Sequence, residues 1–200
     1  MQYELTTIDL LRHGKPEGGE IFRGRTDVAL SAEGLEQMQK ATQGDEPWQQ
    51  LISSPMQRCL SFAEQLAKQK ALPVAVHQGF KELSFGDWDG KKISDVQQED
   101  AQLLKNYWRD PFKHTPPNAE PVSDFSQRVE QALWQTIKQY QGQHLLLVSH
   151  GGVIRAILSH ILLAEQMSLQ RYDVPYASLS RIRVYHDNAG DWPQLVFFNR

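Results

Sequence analysis

The sequence predicts an α/β fold, a single domain over residues 1–200 built as a three-layer sandwich whose mostly parallel central sheet carries helices on both faces. Three observations lead there. Short apolar runs alternate with amphipathic segments along the chain, the order that builds a parallel sheet covered by helices. Leu145-Leu146-Leu147-Val148 is apolar at every position, as a central parallel strand covered on both faces must be. No linker and no repeat of solenoid period interrupts the 200 residues, a length that suits one sizeable core.

In order, the first apolar run ends in Leu11-Arg12-His13-Gly14, and a loop rich in glycine and charge follows over residues 15–30. Ser31 is the expected N-cap of a helix presenting Leu35, Met38 and Ala41, with Gly34 weakening it locally. Leu51-Ile52-Ser53 reads as a strand. Ser54-Pro55-Met56-Gln57 reads as a helix start, with Ser54 the N-cap, Pro55 at the first helical position and Gln57 completing a capping box. That helix buries Cys59, Phe62, Ala63, Leu66 and Ala67 and carries Arg58 in its first turn. Residues 74–76 form a third strand and residues 80–90 a structured loop. Ser94 and Gln97 make another capping box, opening one helix through Leu103, Leu104, Tyr107 and Trp108. Pro111, Pro116, Pro117 and Pro121 preclude regular structure, and a lid or substrate-specificity segment is expected at about 84–122. A helix from about Asp124 follows. The strand at 145–148 then runs into Ser149-His150-Gly151-Gly152 and a helix through Val153, Ile154, Ile157, Leu158 and Ile161. Two last strands, 179–185 and 195–198, flank a turn and leave a pairing edge, so monomer and homodimer both stay open.

A net charge of −3 argues against a general nucleic-acid surface. The single cysteine, Cys59, allows no intramolecular disulfide and suits a reducing compartment. Residues 1–7 lack the basic and apolar regions of a signal peptide, and no apolar run nears the ~20 residues of a membrane helix. The expectation is a soluble cytoplasmic protein without membrane or nucleic-acid partners.

His77, His114, His144, His160 and His186 read as structural or surface residues. His13 and His150 differ, because each ends an apolar strand, where open α/β sheets place their ligands. A metal pair is disfavoured, since Arg12 adjoins His13 and Arg58 lies at another strand-to-helix transition. Guanidinium groups repel a cation and cannot lose their charge. There is also no HExxH and no second cysteine, so neither metal nor cofactor is expected. Arginines with histidines suit an oxyanion, and the helix after Gly151-Gly152 adds amides to the same place.

Four blocks stand in order: Leu11-Arg12-His13-Gly14; Ser53-Ser54-Pro55-Met56-Gln57-Arg58; Glu82 followed by Phe85-Gly86-Asp87-Trp88-Asp89-Gly90; and Ser149-His150-Gly151-Gly152. Together they resemble the histidine phosphatase superfamily, with its phosphoglycerate mutase-like fold, over nearly the whole chain. The resemblance implies His13 as a nucleophile that becomes phosphorylated. It implies Arg12, Arg58 and His150 as the rest of the phosphate pocket, lined by Gly151, and Glu82 as the acid and then the base. Lys15 departs from the glutamate common at that place. Residues 22–27 correspond to a substrate-facing segment, which makes Arg23 and Arg25 candidate substrate contacts or ordinary loop arginines.

The chemistry is coherent. Neighbouring cations keep a histidine neutral and nucleophilic, and they stabilise the equatorial oxygens during transfer, so no metal is required. The stretch between Glu82 and His150 is short, rich in carboxylates and without paired arginines. Phe85, Trp88, Tyr107, Trp108 and Phe112 could cover a flat leaving group or pack a core. The blocks at 22–27 and 85–90 are most similar to those of α-ribazole-5′-phosphate phosphatases of cobalamin nucleotide-loop assembly. A small-molecule phosphate monoester is the implied substrate. A broad-specificity or fructose-2,6-bisphosphatase-like enzyme, or an idle phosphate-binding regulatory domain, remains an alternative.

Overall fold

The computed structural model describes residues 4–200, so the first three residues of the expected domain lie outside the described residues. Its elements run β1 (Glu4–Arg12), α1 (Ala32–Ala41), β2 (Gln50–Ser53), α2 (Gln57–Lys70), β3 (Val74–Val76), α3 (Ile93–Glu99), α4 (Ala101–Arg109), α5 (Val122–Gln139), β4 (His144–Ser149), α6 (Gly151–Ile161), β5 (Leu179–Asp187) and β6 (Gly190–Phe197). The sheet order is β3-β2-β4-β1-β5-β6, with the first four strands parallel and the last two joined antiparallel.

Alternation along the strands lays down the layers. Ile8 and Leu10 of β1, with Leu145 and Leu147 of β4, pack against Val129 and Leu133 of α5 and Val153 and Ile157 of α6. Leu11, Leu146 and Val148 face the other way, onto Met38 of α1 and Phe62 and Leu66 of α2. The period-2 switch of side chains therefore builds two cores across one sheet, as the expected sandwich requires. A third, smaller cluster joins Phe22 to Trp88, Val96, Leu104 and Tyr107, so α3 and α4 fold around an apolar centre of their own. No helix among the described residues is long and apolar enough to cross a membrane.

Asp9 sits fully buried within the apolar run of β1. Burial alone raises a carboxyl pKa, but hydrogen bonds from His144, Arg181 and Trp48 outweigh it and hold Asp9 below its ordinary value. Arg181 Nε and Trp48 Nε1 donate at 2.6 and 2.7 Å, and His144 Nε2 stands 3.0 Å away. Asp9 and Arg181 also oppose each other in the β1–β5 register, so the ion pair pins that register. Asp9, Glu46 and His144 have the spacing of metal ligands, but the Arg181 guanidinium already bridges both carboxylates.

Two expected helix starts differ. The helix through residues 94–108 is two helices, broken at Asp100, whose side chain accepts from the Leu103 amide at 2.9 Å and caps α4. A short carboxylate offers the backbone a local alternative to continuing the helix. α3 begins at Ile93, ahead of the expected capping box, and Ser94 Oγ bonds its neighbour Asp95 instead. α2 begins at Gln57 with Met56 at its N-cap and no side-chain cap bond, so Ser54 is not the cap. Ser31 does cap α1, accepting from the Gly34 amide at 3.0 Å. The expected helix from about Asp124 is present as α5, which begins at Val122.

Gly34 lies inside α1 for a reason of space. A Cβ there would stand 2.1 Å from the Lys15 carbonyl oxygen, and one on Gly14 would stand 2.1 Å from the Gly34 carbonyl oxygen. The two glycines let α1 seat against the backbone leaving His13. Gly34→Ala should therefore reverse the usual sign. In an open helix the change gains about 1 kcal/mol, whereas here a loss of roughly 1–3 kcal/mol is expected from overpacking. Urea unfolding reads the difference, and a raised midpoint would refute the contact's importance.

Candidate active site

The β1–β4 register sets Arg12 opposite Ser149, and the His13 amide donates to the Ser149 carbonyl at 2.9 Å. His13 and His150 thus leave adjacent parallel strands at one level, with ring centroids 5.3 Å apart and planes at 68°. Both are buried. His13 Nδ1 lies 2.8 Å from the Gly14 carbonyl oxygen. A carbonyl only accepts, so Nδ1 carries the proton and Nε2 keeps its lone pair. His150 Nε2 lies 2.7 Å from Ser54 Oγ, which explains why that serine does not cap α2.

Two cations stand beside them. Arg58, 1% exposed, donates Nη1 to the Thr26 carbonyl at 3.1 Å, and Nη2 to the carbonyls of Arg23 at 3.1 Å and Gly24 at 3.0 Å. The loop at 22–27 therefore serves the site through its backbone. Arg12 donates to the Val174 carbonyl and lies over the ring of Tyr176, 4.0 Å from its centroid. Neither guanidinium forms an ion pair with a carboxylate among the described residues, and the Nε of each is buried without a protein partner. Burial and then the charge of Arg58 hold His13 well below its ordinary pKa, against an opposing pull from the Gly14 carbonyl, with smaller contributions from Arg12 and Arg23. Burial, Arg58, His13 and Arg12 do the same to His150. Neutral imidazoles beside guanidinium groups that no carboxylate pairs at ion-pair distance make a receptor for an oxyanion.

Glu82 arrives at the start of α6. Its Oε1 accepts from the Leu83 amide at 2.9 Å and its Oε2 from the Gly152 amide at 3.1 Å. A Cβ on Gly152 would stand 2.3 Å from Glu82 Oε1, and one on Gly151 would stand 3.3 Å from Arg12 Nε. The paired glycines are the places where a carboxylate and a guanidinium reach the helix N-terminus, whose partial positive charge favours anions.

The loops carrying these groups are tied by Asp89. Its Oδ1 accepts from the amides of Gly24 and Arg25 at 2.8 and 2.9 Å, and its Oδ2 from the Phe85 amide and Ser84 Oγ at 3.1 and 3.3 Å. A Cβ on Gly24 would stand 2.1 Å from the Leu83 carbonyl oxygen. The two glycine-containing blocks are thus two sides of one contact.

Of the residues singled out in the sequence, Arg12, His13, Arg58, Glu82, His150 and Gly151 converge at this end of the sheet. Arg23 and Arg25 lie near enough for their charges to oppose protonation of His13 and His150, but their side chains have protein partners. Arg23 Nη2 donates to the carbonyls of Glu17 and Gly19, and Arg25 Nη2 lies 3.4 Å from Glu120 Oε2. Lys15 is exposed and paired with Glu33 at 2.7 Å. Sequence reasoning missed Ser54 as a partner of His150, and also Tyr176 and Arg155. Arg155 lies one turn into α6, where its charge on an otherwise apolar helix was the available signal. Its Nε donates to the Tyr172 carbonyl at 2.7 Å. With Glu82, Phe85, Tyr107, Trp108 and Phe125 it lines a cavity of about 210 Å³.

A family model described as the histidine phosphatase superfamily (branch 1) matches residues 8–194. The bifunctional protein Rv2228c of Mycobacterium tuberculosis is 32% identical over 191 residues, 92% of this chain and 52% of that protein, so the chain spans about half the length of that relative. The adenosylcobalamin/alpha-ribazole phosphatase of Escherichia coli is 29% identical over 160 residues, covering 76% of this chain and 77% of that protein. The crystal structure of the alpha-ribazole phosphatase from Shigella flexneri superposes with a TM-score of 0.81 at 26% identity, covering 97% of this chain and 96% of that one. Solved structures sharing the fold also include proteins named glucosyl-3-phosphoglycerate phosphatase and phosphoserine phosphatase.

The depressed histidines fix a sign for acid stability. Below the ordinary value of 6.5, the unfolded chain takes up protons that the folded His13 and His150 refuse. Their contribution is therefore full above that pH and lost as pH falls through it. The thermal midpoint is expected to drop between about pH 7 and about pH 5, and to drop less in His150→Gln. An equal acid loss in that variant would assign the effect to other groups.

Proposed function

This chain belongs to the histidine phosphatase superfamily, branch 1, and from that premise we propose that it is a phosphomonoesterase working through a phosphohistidine on His13, with α-ribazole 5′-phosphate as its substrate. The observation that carries the reading is the lone pair on His13 Nε2, set beside two guanidinium groups whose Nε atoms are buried without a protein partner.

The Nε2 lone pair attacks phosphorus as the bond from phosphorus to the ester oxygen breaks. Glu82 gives its carboxyl proton to the departing oxygen, which leaves as the alcohol. Arg12, Arg58 and His150 hold the three remaining phosphoryl oxygens, with the Gly151 end of α6 adding its partial charge. Water then attacks the phosphohistidine, the Glu82 carboxylate takes the water's proton, the bond from phosphorus to nitrogen breaks, and inorganic phosphate departs. The arginines supply the charge stabilisation that metal ions supply in other phosphoryl transfers.

The choice of alcohol rests on the cavity beside Glu82. Its aromatic lining from the 84–122 segment, Phe85, Tyr107 and Trp108, suits a flat benzimidazole, and Arg155 offers donors to ribose hydroxyls. In this reading the 84–122 segment selects the substrate and closes over it, with Arg23 and Arg25 at its margin. The similarity to two proteins named alpha-ribazole phosphatase supports the same choice.

The first test is a kinetic panel of α-ribazole 5′-phosphate, fructose bisphosphates, phosphoglycerates and a phosphotyrosine peptide, with phosphoenzyme trapped from labelled substrate. The highest kcat/KM is expected for α-ribazole 5′-phosphate, and His13→Ala is expected to lose both turnover and trapped label. Another best substrate would reject the assignment, and label in His13→Ala would reject the nucleophile. Glu82→Gln should slow release of poorly acidic alcohols by about 10²–10⁴-fold, the usual worth of a general acid. It should slow p-nitrophenyl phosphate much less; equal losses would remove Glu82 from the acid role.

A further inference from the structure

We infer that Tyr176 is a positioning residue that aims the Arg12 guanidinium at the phosphate without drawing on its hydrogen-bond donors or its charge. The inference rests on the reading of Arg12 as a phosphate ligand.

The segment leading into β5 wraps the end of β1. The Arg12 amide donates to the Ser178 carbonyl at 3.1 Å, and the Ala177 amide donates to the His13 carbonyl at 3.3 Å. The Val174 carbonyl accepts from Arg12 Nη1. Ala177 turns the chain through the left-handed region, with φ of 55°, and Tyr176 precedes it. The Tyr176 ring lies 4.0 Å from Arg12 Cζ and 5.7 Å, centroid to centroid, from the His13 imidazole. One side chain therefore touches both the cation and the nucleophile.

An arginine that must bind an oxyanion faces a conflict. A carboxylate would orient it but would also spend its donors and cancel its charge, as Glu33 does for Lys15 and Asp9 for Arg181. A ring face resolves the conflict. It attracts the guanidinium through the ring quadrupole and fixes its plane, while every N–H stays in that plane and free to donate. Beyond the one bond to Val174, Arg12 reaches the start of α6, where its Nε lies 3.3 Å from the place a Cβ on Gly151 would take.

The test compares wild type, Tyr176→Phe, Tyr176→Leu, Arg12→Ala and the Arg12→Ala/Tyr176→Leu double variant. Orthovanadate affinity is read from the ligand-dependent rise in thermal midpoint, which needs no turnover, and kcat and KM are taken with p-nitrophenyl phosphate. Tyr176→Leu is expected to weaken orthovanadate about tenfold and to lower kcat/KM by a similar factor, the size of one partly desolvated cation–π contact. Tyr176→Phe is expected to stay within about twofold of wild type, because the face and not the hydroxyl acts. In the Arg12→Ala background the Tyr176→Leu change should cost no further affinity, the signature of a residue acting through its neighbour. Additive losses, an unchanged orthovanadate affinity in Tyr176→Leu, or equal damage from Tyr176→Phe would each overturn the inference. If Arg12→Ala itself binds orthovanadate like wild type, the phosphate-site reading falls and takes the inference with it. If only Tyr176→Leu is silent, that reading stands and the inference alone falls.

Discussion

The hydrogen bond from the His13 amide to the Ser149 carbonyl sets the frame for everything above it. It extends the β1–β4 ladder by one step, between parallel neighbours with Arg12 level with Ser149. Two histidines one residue beyond that level have no choice but to emerge side by side. A slip of one residue would also carry Ile8 and Leu10, or Leu145 and Leu147, onto the wrong face of the sheet. The apolar pattern that buries the strands and the geometry that joins the imidazoles are enforced by one register.

On that frame the protein uses positive charge in two ways. Arg181 on Asp9 and Arg128 on Glu120 are matched to carboxylates at hydrogen-bond distance, and they serve the architecture. Arg58 and Arg12 are oriented by neutral partners, three loop carbonyls for one, and a carbonyl and a ring for the other. Neutral partners satisfy some donors while leaving the formal charge undiminished. The histidines beside them are pushed toward the neutral form by burial and then by that same charge. Part of the chain's stability in mild acid is given up to keep the site poised, as is common where function opposes packing.

The sheet was legible because apolar runs and turn signals are properties of each strand by itself, and five strands lie close to where these placed them, while the sixth, expected at 195–198, begins already at Gly190 inside the expected turn. The pairing of His13 with His150 was legible because each ends an apolar strand, whereas Arg58 and Glu82 joined them through the resemblance of four blocks in order to a known family. What escaped was set by distant competition. Ser54 carries a local helix-capping signature, but His150, 96 residues away, takes its hydroxyl. Asp100 interrupts a run that otherwise reads as one helix. Asp9 looks misplaced in an apolar strand until Trp48, His144 and Arg181 arrive from other parts of the chain. The support of Arg58 was invisible for another reason: its partners are carbonyl oxygens, which every residue possesses and no side-chain pattern announces.

Asp89 has a consequence for how this protein can change. Its two carboxylate oxygens divide their work, one holding the backbone at Gly24 and Arg25 and the other the Ser84 hydroxyl and the backbone at Phe85. The first loop supplies the carbonyls that hold Arg58, and the second runs from Glu82 toward the aromatic wall of the cavity. Residues past Gly90 reach that wall through Tyr107 and Trp108 and meet the first loop mainly at Phe22, whose amide donates to the Lys91 carbonyl and whose ring stacks on Trp108. Changes in α3, α4 and the proline-rich connection can therefore reshape the pocket for the alcohol while the chemistry behind Asp89 stays intact, provided that the seat of Phe22 and the Glu120 partner of Arg25 are kept. The carboxylate is a seam along which one lineage can be recut for different metabolites.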